Sequence, residues 1–356
     1  MKQTRAVLAG TGVATPPQVV TNSMLSRVIE TSDEWVRERS GIVERRYVEP
    51  GVSSADLGAE ASRQALERAG MEVDEVDYIV CATMTPDHYF PGAGTMIQDR
   101  LGMKPVPALD IRQQCAGFAY GLQTVDALVR AGIARNVLLV GTDVHTCLFP
   151  FNERSWECLY DESAGPLEAE EMAKNSRYRH LLVLFGDAAG AMVFRAEENT
   201  ERGILGSRLY GDGDKCEILH VPGVGSKFRP FVTPEMIEEG NTVPVMEGRS
   251  VFKLAVTRMP QATRQVLDEC GYGIDDVDLL VMHQANLRIN EAAREQLKLA
   301  PEKVHNNIMR YGNTTSATLP LCFHEAAEAG KAPEGSLVAF TALGAGLHWG
   351  SVLMRL

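Results

Sequence analysis

Cys115 has the surroundings of a nucleophile. In Ile111-Arg-Gln-Gln-Cys-Ala-Gly-Phe-Ala-Tyr-Gly121 it follows a short apolar run and precedes a helix-like segment, Phe118 to Ala131. That places a thiol at a strand-to-helix corner, where unpaired N–H groups and the helix dipole favour a thiolate. Ala116 and Gly117 leave room for a substrate to reach the sulfur. A lone cysteine is also often just a small buried apolar residue, so the rest of the chain has to supply its partners.

Those partners need a scaffold, and the apolar runs describe one. Arg5–Gly10, Val76–Ala82, Val106–Ile111 and Val137–Val140 read as strands. Between them lie helical stretches: Thr31–Gly41 with a capping-type start, Ser54–Ala69 with Leu57, Ala61, Ala65 and Leu66 on one face, and Thr95–Leu101. Such alternation implies a sheet covered by helices. Gly10-Thr-Gly12 invites a dinucleotide-binding reading, but Pro16-Pro17 follow and no helix can begin there.

The pattern occurs twice. Ser62-Arg-Gln-Ala-Leu-Glu-Arg-Ala-Gly70 is echoed by Thr263-Arg-Gln-Val-Leu-Asp-Glu-Cys-Gly271, and both run into matching strands, Val73–Val80 and Ile274–Val281. A second pair, Ala131-Gly132 before Asn136–Val140 and Ala329-Gly330 before Ser336–Phe340, aligns near an offset of 198. We read a duplicated α/β unit with halves 1–200 and 201–356. At the second offset Cys115 is expected opposite Asn313, with His283 just past the strand 278–282. All three then lie at strand ends or helix starts, where α/β sites are built. Residues 152–179 are turn-rich and acidic; they read as an inserted cap or loop, with a short helix over Leu167–Lys174, or as a solvated excursion.

Composition narrows the function. The chain has 356 residues, 45% hydrophobic and 23% charged, so a sizeable core is expected. A net charge of −12 argues against nucleic acid as the main partner. Seven irregularly spaced cysteines without a CxxC argue against disulfides and structural zinc, and suit a cytoplasmic setting. Met1–Gly10 lacks the apolar length of a signal peptide, and no run approaches a membrane span.

Three further motifs join the cysteine: His283-Gln-Ala-Asn-Leu-Arg288, Tyr311-Gly-Asn-Thr-Thr-Ser316 and Leu343-Gly-Ala-Gly-Leu-His-Trp-Gly350. With Thr31–Gly41 and Phe185-Gly-Asp-Ala-Ala-Gly190 they resemble the β-ketoacyl-acyl-carrier-protein synthase III family. HQANLR, GNTTSAT and TSDEW are specific in combination, and the resemblance covers nearly the whole chain apart from 152–179. It implies an α/β, thiolase-like, internally duplicated fold in five αβαβα layers.

The resemblance also implies an activity. Cys115 would accept an acyl group from a coenzyme A thioester, with the N–H groups of Cys115 and Gly346 facing the oxyanion. His283 and Asn313 would donate hydrogen bonds to the enolate of a decarboxylating malonyl thioester, giving a β-ketoacyl product that initiates fatty acid or related polyketide synthesis. No metal and no other cofactor is implied. Trp35, Arg39, Thr31 and Arg179 match the nucleotide contacts, and Gly248, Phe252, Ala285 and Asn286 match the pantetheine channel. Arg249 stands where the family often has asparagine.

Lys253 and Arg288 match the basic patch that docks malonyl-acyl carrier protein, although Glu295-Gln296 follow where the family tends to be basic. Phe90 matches a loop reaching into the partner subunit, so a homodimer is expected; Phe90, Leu148, Phe149, the 152–179 stretch and Leu347 would shape the acyl pocket, with His348 as wall. Ala342-Leu343 before the glycine turn disfavours a thiolase, and Asn313 disfavours the two-histidine elongating synthases. Type III polyketide synthases, head-to-head condensing enzymes and acyl transfer without decarboxylation share the set and stay open. A silent subunit would have lost one of Cys115, His283 or Asn313.

Overall fold

The structure is a computed structural model describing residues 4–356; the first residues of the N-terminal reading, Met1–Gln3, lie outside the described residues. Two sheets carry the architecture. The first contains β1 (Thr4–Ala14), β2 (Tyr78–Ala82), β3 (Ala108–Ile111), β4 (Asn136–Asp143) and β5 (Ala188–Glu198) in the order β1-β5-β4-β2-β3. Strand β2 runs parallel to β3 and β4, and β5 antiparallel to β1 and β4. The second contains β6 (Gly203–Gly211), β7 (Leu279–Met282), β8 (Leu337–Gly344) and β9 (His348–Arg355) in the order β7-β8-β9-β6. There β7 and β8 are parallel and the other pairs antiparallel.

The helices that matter for the site are α1 (Asp33–Ser40), α2 (Ser54–Ala69), α3 (Ala93–Arg100), α4 (Gly117–Arg130), α5 (Glu153–Tyr160), α6 (Ala169–Ser176), α7 (Gly248–Cys270), α8 (Leu287–Leu297) and α9 (Thr318–Glu328). Helices α4 and α9 form the middle layer. Phe118, Leu122 and Val125 of α4 and Leu319, Phe323 and Ala326 of α9 share one core with Val137, Leu139 and Phe194 of the first sheet and Val338 and Phe340 of the second. Helix α2 covers the outer face of the first sheet through Ala61 and Ala65, and α7 that of the second through Met259 and Val266. The layers are therefore αβαβα. Helix α2 starts where its signals say: the Ser53 hydroxyl accepts from the Asp56 N–H, the Asp56 carboxylate accepts from the Ser53 N–H, and left-handed Gly70 ends it.

Four differences from the sequence reading have physical causes. Strand β1 does not end at Gly10 but runs on to Ala14. A Cβ at Gly10 or Gly12 would collide with the Ala65 or Ala61 carbonyl of α2, so these glycines serve sheet–helix packing rather than a ligand turn. The pairing of α4 with α9 also shifts. The turn Gln114–Ala116 before α4 and the turn Thr315–Ala317 before α9 stand 201 residues apart, and the left-handed residues Gln114 (φ 46°) and Thr315 (φ 50°) match. Because α9 has 11 residues and α4 has 14, the offset falls to 198 only at their C-terminal ends. Ser316, not Asn313, is thus the counterpart of Cys115.

The stretch 152–179 is not a solvated excursion. Cys158 and Leu159 of α5 and Leu167 ahead of α6 are buried in one cluster with Val28, Ile29, Tyr47 and Leu182. The second of these helices begins at Ala169 rather than Leu167, which is buried ahead of it. Fully buried Arg45 ties this layer to the site: it donates to the carbonyls of Val20 (3.2 Å) and Val183 (2.8 Å) and to Asn22 Oδ1 (2.8 Å). Among the described residues no helix is long and apolar enough to cross a membrane.

Candidate active site

Cys115 sits in the tight turn that enters α4, with 8% of its surface exposed. The turn is backed by Gly344 at the end of β8; a Cβ there would lie 2.8 Å from the Ala116 nitrogen and 2.9 Å from that of Cys115. Only glycine lets the two backbones approach so closely. His283 follows β7 and donates its backbone N–H to the Thr341 carbonyl of β8 (2.9 Å). Asn313 is held by its N–H to the Leu184 carbonyl (2.8 Å) and by its own carbonyl, which accepts from Gly186 (3.1 Å). Cys115, His283 and Asn313 come together at the inner end of one cavity of about 310 Å³.

Their hydrogen-bonding state is specific. The Asn313 Oδ1 accepts the Thr315 N–H (2.9 Å), which leaves its amide N–H₂ for the cavity side. Neither ring nitrogen of His283 has a partner, although the residue is 3% exposed. Burial, reinforced by nearby His145, pushes the His283 pKa down to about 3, so the ring is neutral and carries one N–H. The one N–H of the neutral ring is a donor that a substrate oxygen beside the thiol can use.

One sequence expectation is corrected here. The thiol is not poised as a thiolate: burial, and then the Asp143 carboxylate, push Cys115 up to about 12. Thr315, the Cys115 backbone N–H and Asn313 pull the other way but do not win. The helix-end position is outweighed because the sulfur is buried close to a buried anion.

The 310 Å³ cavity leads outward past Leu343, Met259, Ala285, Phe252 and Gly248 to Trp35 and Arg39. Helix α1 presents the last two one turn apart, started by the Ser32 hydroxyl accepting the Trp35 N–H (3.2 Å) and stopped by left-handed Gly41. The guanidinium carbons of Arg39 and Arg179 each lie 4.4 Å from the Trp35 ring centroid. Thr31 Oγ1 is buried without a partner beside this helix. Asn286 is already engaged: it donates to the Arg39 carbonyl (2.8 Å) and caps α8 by accepting the Arg288 N–H (2.9 Å). Lys253, Arg249 and Arg288 are exposed near the mouth, with Arg288 5.9 Å from the Phe252 ring, whereas Arg294 is occupied by Glu291 (2.9 Å).

A second, larger chamber of about 860 Å³ opens on the other side of Cys115. Gly346, Phe149 and Leu148 line it, as do Asn152 and Lys174 from the 152–179 stretch, and His348. Leu347 does not: it is 1% exposed and packed into the core of the second sheet, because the backbone turns it inward between Gly346 and His348. Phe90 is 79% exposed and stacks edge-on with Tyr89, which reaches the chamber. Sequence reasoning missed three buried residues that touch the triad's surroundings: Asp143, His145 and Thr315. Asp143 and His145 lie in no motif, Thr315 lies inside Tyr311–Ser316 with nothing to mark its side chain, and their contacts are distant in sequence.

Five αβαβα layers with both sheets feeding one central cavity make the thiolase-like architecture of the condensing acyltransferases. The family model "3-oxoacyl-[acyl-carrier-protein (ACP)] synthase III" matches residues 109–176, through most of the stretch set apart above, and its C-terminal companion matches 267–356. The synthase III of Caldanaerobacter subterraneus is 39% identical over 98% of this chain and 97% of its own. The crystal structure of the Aquifex aeolicus synthase III is 35% identical with a TM-score of 0.83, covering 99% of this chain and 100% of that one. The priming β-ketosynthase of the R1128 polyketide pathway is 29% identical, also with a TM-score of 0.83, over 99% and 97% of the two chains. The chain belongs to the β-ketoacyl-acyl-carrier-protein synthase III family.

Proposed function

We propose that this enzyme condenses an acyl-coenzyme A primer with malonyl-acyl carrier protein through an acyl-Cys115 intermediate. The observation that carries the reading is the pair of unpartnered His283 ring nitrogens set with the Asn313 amide and the Cys115 thiol at one cavity end. In the first half-reaction the sulfur attacks the primer carbonyl while the N–H groups of Cys115 and Gly346 receive the oxyanion, and coenzyme A leaves. In the second, malonyl thioester enters by the same channel and loses carbon dioxide. Neutral His283 and the Asn313 amide donate to the enolate oxygen, and the carbanion attacks the acyl-cysteine to release the β-ketoacyl product. A neutral imidazole suits this step, since it donates without drawing the carboxylate into an ion pair that would oppose its loss.

Trp35, Arg39, Arg179 and Thr31 are the proposed nucleotide contacts, and Gly248, Phe252, Ala285 and Asn286 the pantetheine walls. Lys253 and Arg288 are the proposed docking points for the acidic carrier. The exposed Phe90 suits a homodimer in which its loop closes the partner's chamber. The reaction needs no metal or redox cofactor, and a cytoplasmic setting fits its free thiols.

Intact-mass analysis after incubation with a series of acyl-coenzyme A thioesters, short to long, tests the reading. A stoichiometric adduct with one chain-length class is expected, followed by its discharge on malonyl-acyl carrier protein. Absence of any adduct would sink it. Replacement of Trp35 by Ala is expected to raise KM for the coenzyme A primer roughly tenfold, for a lost cation–π and stacking contact of about 1–2 kcal/mol, with little change in kcat. The same variant should treat a primer on a bare pantetheine arm like the parent enzyme; an equal KM change with both would place the loss elsewhere.

A further inference from the structure

The two groups assigned to the enolate come from different elements, yet one oxygen must meet both. His283 follows β7, whereas Asn313 lies ahead of the turn that opens α9. No hydrogen bond joins their side chains. Their spacing is therefore set by what ties the two backbones together, and a hydrogen-bonded loop, 304–312, runs between them. Gln284 is its first anchor. It follows His283 directly and is fully buried. Its amide N–H₂ donates to the Met282 carbonyl (3.0 Å) and to Asn306 Oδ1 (3.2 Å), and its Oε1 accepts the Asn307 N–H (3.3 Å). One side chain thus clasps the end of β7 to the loop as both donor and acceptor. Asn290 of α8 donates to the same Asn306 oxygen (2.9 Å), and a Leu280–Val304 bridge starts the loop alongside β7.

Glu325 of α9 is the second anchor. Its Oε2 accepts from Asn307 Nδ2 (2.9 Å) and Arg310 Nη2 (2.8 Å), and its Oε1 accepts the Tyr311 O–H (2.7 Å). His305 Nε2 lies 3.6 Å away. Burial pushes the Glu325 pKa up, but the His305, Tyr311 and Asn307 contacts and the Arg310 charge outweigh it and bring it down to about 2. The acceptor is therefore an anion at neutral pH, where its hydrogen bonds are strongest. Tyr311 and left-handed Gly312 lead straight into Asn313. A Cβ at Gly312 would lie 2.7 Å from the Leu184 carbonyl, the oxygen that accepts the Asn313 N–H. Neither Gln284 nor Glu325 lines the cavity that holds Cys115. A buried network with its members satisfied is rigid, and this one spans the distance from one donor to the other.

We propose that Gln284 and Glu325 are positioning residues that hold His283 and Asn313 at one spacing for the decarboxylating half-reaction. The inference rests on the reading above, in which both donate to one enolate oxygen. Donors to a developing charge act only where that charge appears, so a small drift of either one weakens the step. Acylation of Cys115 draws on the Cys115 and Gly346 N–H groups, which this network does not touch. The two half-reactions should therefore respond differently when an anchor is removed.

The test measures carbon dioxide release from malonyl-acyl carrier protein beside the rate of Cys115 acylation. Gln284→Met fills the same space but makes none of the hydrogen bonds. Decarboxylation is expected to slow about 10- to 100-fold with KM unchanged, and acylation to stay within about twofold of the parent. Placed in His283→Ala, the same change should cost less than about twofold more, because spacing no longer matters once one donor is gone. Tyr311→Phe removes a single bond to Glu325 at a half-buried site and covers the case of a Gln284 variant that does not fold. It should slow decarboxylation severalfold and leave acylation unchanged. In either variant, decarboxylation at the parent rate or equal loss of both half-reactions would overturn the inference, as would an undiminished loss in His283→Ala. A parent enzyme that releases no carbon dioxide from malonyl-acyl carrier protein would overturn the functional reading itself, and the inference with it.

Discussion

Cys115→Ala is expected to take no acyl adduct from any thioester and to lose condensation by about 10⁴-fold or more, as removal of a covalent nucleophile does. The change deletes one sulfur from a turn set by Gly344 and α4, so the fold should hold and the channel should still bind malonyl thioester. His283 and Asn313 remain, and the variant should still release carbon dioxide from malonyl-acyl carrier protein. His283→Ala should do the reverse: it accepts the acyl group but loses decarboxylation by about 10²–10³-fold, the worth of one donor to a developing oxyanion. Acyl adduct by mass and carbon dioxide release, measured on both variants, decide the matter. Equal loss of both half-reactions in both variants would mean that the two residues act as one unit, contrary to the assignment of one to each step.

Much of this site is legible in the chain because its members are local to recognisable turns. Cys115 lies in the turn that enters α4, His283 follows β7, Asn313 lies two residues ahead of the turn Thr315–Ala317, and Gly346 lies in the turn between β8 and β9. Ser53, Asp56 and Gly70 bound α2 by chemistry that needs no tertiary partner. What the chain conceals is non-local. His145 meets Thr315 across 170 residues, and nothing in Val144-His145-Thr146 marks that contact. Leu347 looks like a pocket residue beside Gly346, but the backbone there turns it into the core. The thiol's acidity is hidden for the same reason: the helix end is visible in sequence, while burial and the Asp143 carboxylate at the end of β4, which outweigh it, are set by the tertiary fold. The shift of the Cys115 counterpart from Asn313 to Ser316 came from three residues fewer in α9, a length that apolar spacing alone does not set.

Asp143 itself carries the second large effect. It is fully buried at the end of β4, and no arginine or lysine pairs with it among the described contacts. Its Oδ1 accepts from the Thr83 hydroxyl (3.1 Å), the Met84 N–H (2.8 Å) and the N–H and hydroxyl of Thr85 (3.2 and 2.9 Å). Its Oδ2 accepts from the N–H and hydroxyl of Ser316 (3.0 and 2.5 Å), so one carboxylate joins the first sheet to the turn that opens α9. In Asp143→Asn one oxygen becomes a donor. Whichever way the amide points, a backbone N–H loses its acceptor, and the cost is about 1–3 kcal/mol in urea unfolding.

The thiol responds in the opposite sense. The anion raises the Cys115 pKa by opposing the thiolate, so its removal lowers that pKa, and at pH 7–8 the thiolate fraction grows about tenfold for each unit. Asp143→Asn should therefore be less stable yet alkylate faster at Cys115 with iodoacetamide. Loosening alone could also speed alkylation, and Thr83→Val separates the two: it removes one hydrogen bond to the same carboxylate while the charge stays. Faster alkylation in Asp143→Asn but not in Thr83→Val assigns the effect to charge. Equal acceleration in both would assign it to opening of the turn and leave burial, without the Asp143 charge, as what keeps the resting thiol protonated.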